Sequence, residues 1–119
     1  MTTRIHHLAR AGEWAQAQQT GRYEGSAQDR ADGFLHFSTP EQIRESARKH
    51  RAGEADLLLL TVHAEDLGGA LQWEPSRGGA LFPHLYEALS IKLVQRVDPL
   101  PLNDQAGHLF PADLFPEDF

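Results

Sequence analysis

The stretch Leu57-Leu58-Leu59-Leu60-Thr61-Val62-His63 most limits how this 119-residue chain can fold. It is the longest strongly apolar run in the sequence, and it is far too short to span a bilayer. A continuous apolar run of this length fits a strand with both faces covered, so it is expected to be the central strand of a sheet. Arg4 to Leu8 reads as a first strand, with Ile5 and His7 on one face and His6 and Leu8 on the other. Leu71 to Glu74 and Lys92 to Val97 read as later strands, the last bounded by Pro99 and Pro101. Ala9 to Thr20 is compatible with a helix anchored by Trp14 and stopped at Gly21. Ala64 to Leu67 reads as a helical turn broken at Gly68-Gly69, and 75–79 as a loop of turn formers.

Gly33-Phe34-Leu35-His36-Phe37-Ser38-Thr39-Pro40 joins a strand to a helix. Extended backbone would put Phe34, His36 and Ser38 on one side and Leu35 and Phe37 on the other. Thr39 reads as an N-cap, Pro40 as the first helical residue, and Gln42 as the partner that completes a capping box. The helix is expected to run over 40–52 with Ile43 and Ala47 inward, ending at Gly53. The preceding segment, 21–32, is polar and glycine-containing; it reads as a loop with at most one helical turn, of a kind that borders a site. The expected architecture is α+β: two main helices on a split, twisted, mixed or antiparallel sheet of five or more strands. Residues 1–102 are expected to form one domain, with 103–119 an irregular tail packed on it.

A formal charge of -6 argues against general nucleic-acid binding. With no cysteine there is no thiolate chemistry and no disulfide, which suits a cytoplasmic location, as does the lack of an apolar leader. Phosphate-loop, dinucleotide-fold and nucleophile-elbow motifs are all missing from the sequence. Seven histidines are scattered near element ends, without the spacing of a metal motif. No metal is therefore expected, although three histidines converging on an ion would define a hydrolase. Ser38 would be a nucleophile only if a base approached it. What remains is a cleft of neutral donors and aromatics. His36 and Ser38 could bond a ribose or amide, and Tyr86, Trp73 or Phe82 could stack on a planar ring. Glu74 or Glu87 could face a developing cation.

Four blocks carry a resemblance: Ile5-His6-His7-Leu8, Gly33 to Ser38, Trp73-Glu74-Pro75-Ser76-Arg77-Gly78-Gly79, and Leu81-Phe82-Pro83-His84-Leu85-Tyr86. In order and spacing they resemble DUF952, a family of small bacterial proteins of unknown function, over roughly residues 4–102. That family is similar in fold to the ADP-ribosyltransferase superfamily, whose split sheet grips NAD. The resemblance implies that His7 binds the nicotinamide-side ribose and that the His36-Phe37-Ser38 block forms the second pocket strand. It further implies that the Phe82 to Tyr86 segment, with His84 and Tyr86, borders the same cleft, and that Arg77 either meets a pyrophosphate or ties down its own loop. His7, His36 and Glu74 are then the candidate catalytic residues. Transfer of ADP-ribose from NAD is one expectation. A non-catalytic domain that senses a nucleotide or other small molecule is the other.

Overall fold

The computed structural model describes residues 3–115, apart from the side chain of Arg77. Strand β1 (Arg4–Arg10) leads into helix α1 (Ala11–Thr20), the short strand β2 (Arg22–Tyr23), helix α2 (Ala27–Asp32), strand β3 (Leu35–His36) and helix α3 (Pro40–His50). Strands β4 (Leu57–His63), β5 (Leu71–Pro75), β6 (Leu81–Leu85), β7 (Leu89–Ser90) and β8 (Val94–Pro99) follow, with 3-10 turns in every gap except the bend between β6 and β7. The fold is α+β, and every described strand pairing is antiparallel.

The apolar run is central, as expected. β4 lies between β1 and β8, and Leu57, Leu59, Leu60 and Val62 are buried. Its seven residues pair in register with β1 from Arg4↔His63 to Arg10↔Leu57, which explains why β1 continues to Arg10 where a helix was expected from Ala9. A second sheet has the order β3-β6-β5, and β2 pairs with β7. The two larger sheets meet where His6 and Ser38 exchange backbone hydrogen bonds of 2.8 Å in both directions. β1 and β3 part on either side of this bridge, so the sheet is split there.

Alternation along β1 sorts its side chains as expected. Ile5 joins a core with Trp14, Tyr23, Phe37, Leu60 and Leu85. Leu8 joins a second core with Ile43, Ala47, Leu59, Phe110 and Phe115. The irregular chain after β8 is pinned to that second core: the Phe115 ring lies 5.6 Å from His6 and 5.1 Å from the Arg44 guanidinium, and Asp113 pairs with Arg96 at 2.6 Å. The part of the expected tail at 116–119 lies outside the described residues.

Three local expectations need correction. The segment expected to be a loop contains α2, started by a reciprocal capping box between Ser26 and Asp29 and stopped by Gly33 in the left-handed conformation. α3 begins at the expected Thr39–Gln42 box but stops at His50, its last turn closed by the Arg51 N–H on the Ala47 carbonyl. β8 starts at Val94, because Ile91–Leu93 winds into a 3-10 turn capped by the Ser90 hydroxyl.

Candidate functional site

The split is filled by a polar network centred on Asp29, a residue that sequence reasoning passed over. Asp29 sits on the first turn of α2 and is only 3 % exposed. Its Oδ2 accepts from the Ser26 amide at 2.8 Å and the Ser26 hydroxyl at 2.9 Å. Its Oδ1 accepts from the His36 amide at 3.1 Å and from His36 Nδ1 at 2.5 Å. His36 Nε2 lies 2.9 Å from Asp32 Oδ2, so both ring nitrogens donate to carboxylates and the ring is an imidazolium. Those bonds, led by the one to Asp29, raise the His36 pKa against the opposing effect of burial. For Asp29, burial works to raise the pKa. The bond from His36 and those from the Ser26 and His36 amides outweigh it and hold the carboxyl well below the usual range.

His7 lies beneath this pair, buried, on β1. Its Nδ1 is 2.7 Å from the His36 carbonyl oxygen and its Nε2 is 2.7 Å from the Tyr23 hydroxyl. A carbonyl only accepts, so Nδ1 carries the proton and Tyr23 donates to Nε2. Burial lowers the His7 pKa and keeps the ring neutral. With Nε2 unprotonated, its 3.7 Å approach to Asp29 Oδ2 is not an ion pair. Burial, followed by the nearby Asp29 and Glu13 charges, holds the Tyr23 phenol protonated far above its ordinary value. Tyr23→Phe would strand a buried ring nitrogen, and we expect a loss of about 1–3 kcal/mol in urea unfolding. His6 points the other way, to Thr61 Oγ1 at 3.0 Å, and burial lowers its pKa to about 4.

Above the network lies an aromatic shelf. Phe34 stacks on His84 with ring centroids 4.1 Å apart and planes 25° apart, and its ring is 5.1 Å from Tyr86 and 4.5 Å from His36. Glu74 Oε1 accepts from the Tyr86 hydroxyl at 2.6 Å and lies 2.7 Å from His84 Nδ1. The Tyr86 bond first, then that of His84, lowers the Glu74 pKa, and Glu74 in turn raises that of Tyr86. These contacts follow from register. Gln72 faces His84 and Glu74 faces Phe82 across the β5–β6 hairpin, so Glu74 and His84 share one face and Trp73, opposite Pro83, takes the other. Trp73 is therefore excluded from the shelf and is 41 % exposed.

A recess of about 230 Å³ opens beside the shelf, lined by Phe34, Tyr86, Glu87, Arg22, Glu24 and Arg30, with Asp29 reaching its floor. Of the residues singled out in the sequence, His36, Glu74, His84 and Tyr86 are brought together. His7 touches the group only from below, through the His36 carbonyl. Ser38 is not part of it: the chain twists as it passes from the second sheet to the first, and the Ser38 hydroxyl is buried against Ser46 at 3.0 Å. The expected shared face of His36 and Ser38 is thus broken, and the serine hydroxyl is engaged by Ser46. The Arg77 side chain lies outside the described residues. Arg22 and Arg30, which line the recess, were missed; they sit in the segment 21–32 that was read as one that covers or borders a site. Among the described residues, no group of three His, Cys, Asp or Glu side chains could hold a metal ion, and no helix is long and apolar enough to cross a membrane.

The family model of DUF952, a protein of unknown function, matches residues 8–97. The chain belongs to this family. Beyond the DUF952 match, the crystal structure of protein CC0527 from Caulobacter crescentus is similar, at 46 % identity over 95 % of this chain and 99 % of that one, with a TM-score of 0.91. The solution NMR structure of CC0527 is 47 % identical over 92 % of this chain and 94 % of that one, with a TM-score of 0.79. No curated protein matches the chain. The DUF952 match spans Asp29, His36, Glu74 and Tyr86 and begins one residue after His7.

Proposed function

We propose that this DUF952 chain binds a nucleotide-class small molecule, with NAD the first candidate, in the recess beside Phe34 and Tyr86. One observation carries the reading: a half-buried aromatic shelf shares a recess with two guanidinium groups, Arg22 and Arg30. A planar base gains from stacking on such a ring. A guanidinium matches the geometry of a phosphate, so ring and diphosphate can be held by neighbouring walls. Binding asks nothing further of Glu74, whose Oε1 is already committed to Tyr86 and His84.

ADP-ribosyl transfer, the activity of the superfamily that the family resembles, is the second reading, favoured by Glu74 alone. Its two donors hold the carboxylate ionised next to an aromatic wall, the state needed to stabilise an oxocarbenium-like centre as nicotinamide leaves. A thermal-shift titration with NAD, ADP-ribose and nicotinamide tests the binding reading. NAD and ADP-ribose are expected to raise the melting temperature in a concentration-dependent way, and Phe34→Ala to abolish the rise. No shift with any of the three removes the nucleotide reading. Nicotinamide release that Glu74→Gln suppresses would establish transfer, and binding without release would leave a sensor.

A further inference from the structure

Helix α2 is held on the domain without apolar packing. Of its six residues only Asp29 is buried; Ala27, Gln28, Arg30, Ala31 and Asp32 are all exposed. A helix this short does not persist by itself, and no hydrophobic burial offsets the cost of ordering it. What ties it to β3 is the His36 ring. Nδ1 meets Asp29 Oδ1 at 2.5 Å in the first turn, and Nε2 meets Asp32 Oδ2 at 2.9 Å at the last residue, so one ring clasps both ends. Two such contacts need two ring protons, and a neutral imidazole has one. The other neighbours of the ring do not replace a lost donor. His84 of β6 stands edge-on at 5.8 Å, Phe34 packs at 4.5 Å, and His7 of β1 lies behind, on the His36 carbonyl. Glu74 of β5 is committed to His84 and Tyr86.

We propose that α2 is a pH-sensitive latch: loss of one proton from His36 to solvent frees the Asp32 end of the helix and loosens the recess wall that Phe34 forms. Nδ1 keeps the remaining proton, because Asp29 is buried and leaving it short of a donor costs more. Asp32 is exposed and has Gln28 Nε2 at 3.0 Å as a second donor. Nε2 then turns a lone pair to the Asp32 carboxylate, and the contact becomes repulsive. The release acts directly on the shelf. Asp32 is two residues before Phe34, and the Gly33 and Phe34 amides both donate to the Asp29 carbonyl, at 2.9 and 3.2 Å. The His36 side chain is 40 % exposed, so its proton has a path to water. The carboxylate bonds raise its pKa, which sets the release on the alkaline side of 6.5. The latch itself is a property of the fold; its effect on a ligand rests on the nucleotide reading.

Amide exchange of the intact chain, corrected for the intrinsic rate at each pH and read beside the His36 ring resonances, tests the latch. Protection of the Gly33 and Phe34 amides is expected to fall at least about tenfold as the ring titrates, with the β4 amides unchanged. Asp32→Asn is expected to abolish the fall, because an amide side chain accepts from the charged ring and donates to the neutral one. Asp32 is exposed, and a melting curve confirms that the variant is folded. Protection that stays level through the titration, that falls equally at β4, or that falls equally in Asp32→Asn would overturn the proposal. ADP-ribose affinity is expected to drop about tenfold over the same pH range, and to stay within about twofold in Asp32→Asn. Affinity that ignores pH would overturn the coupling to the recess. No ADP-ribose binding at any pH, with the exchange pattern intact, would sink the nucleotide reading alone.

Discussion

Replacing Asp29 with alanine is expected to lower stability by about 2–4 kcal/mol at pH 6, because the carboxylate is buried while its partner His36 is 40 % exposed and keeps Asp32. The carboxylate satisfies four donors at once, and without it the buried Ser26 and His36 amides and the His36 ring lose their acceptor. The capping box that starts α2 is lost in the same step. The deficit should depend on pH, and its direction follows from the two shifts. His36 has a raised pKa, so its contribution is complete below its ordinary value of 6.5 and is lost as pH rises through the higher folded value. Asp29 has a lowered pKa, so its contribution is present above its ordinary value of 3.8 and is lost as pH falls through the lower folded one. Urea unfolding across pH should therefore show the widest gap between Asp29→Ala and the natural chain between these two ordinary values, narrowing on the alkaline side. A gap that widened from pH 7 to 9 would mean that His36 does not carry the proton assigned to it.

Gly25→Ala is the second large effect, expected at about 2–5 kcal/mol from backbone strain and overpacking together. Gly25 has φ of 86°, where a side chain is strained in itself. Space is the greater obstacle. A β-carbon there would meet the Leu35 side chain and lie 2.7 Å from both Cβ and Oδ2 of Asp29. Leu35 is core and Asp29 is held by four bonds, so neither can yield cheaply. The variant should lose the α2 cap along with its stability, visible as faster amide exchange at Asp29 and His36. Gly21→Ala makes the control: it has a similar φ of 85° but nothing within 4 Å of the added carbon, so it should cost only the strain of about 1–2 kcal/mol.

The elements set by local rules were legible. The apolar run of β4, the alternation in β1 and the Thr39-Pro40-Gln42 start of α3 each declare themselves within a few residues, and each is found where expected. α2 was legible too, in the Ser26-x-x-Asp29 spacing, but the glycines and charges around it suggested a loop. The site is harder to read because it is made by long-range contacts. Asp29 and His36 are seven residues apart, Glu74 and Tyr86 twelve, and His7 and Tyr23 sixteen. His36, Glu74, His84 and Tyr86 could be picked out as residue types, and they do gather. Ser38 could not be ruled out from sequence, because its departure depends on a twist at the junction of two sheets. Arg22 and Arg30 look like ordinary solvated charges in the sequence; only the folded β2 and α2 bring them to one recess.

The most direct test of the account is to map where ADP-ribose binds, by following backbone amide chemical shifts of the intact chain during titration. The predicted result is saturable movement confined to 22–36 and 84–88, with the Phe34, His36 and Tyr86 amides among the largest and the β8 amides unmoved. Saturable movement centred elsewhere, or none at millimolar ligand, would contradict the claim that the shelf and its two arginines form a nucleotide site.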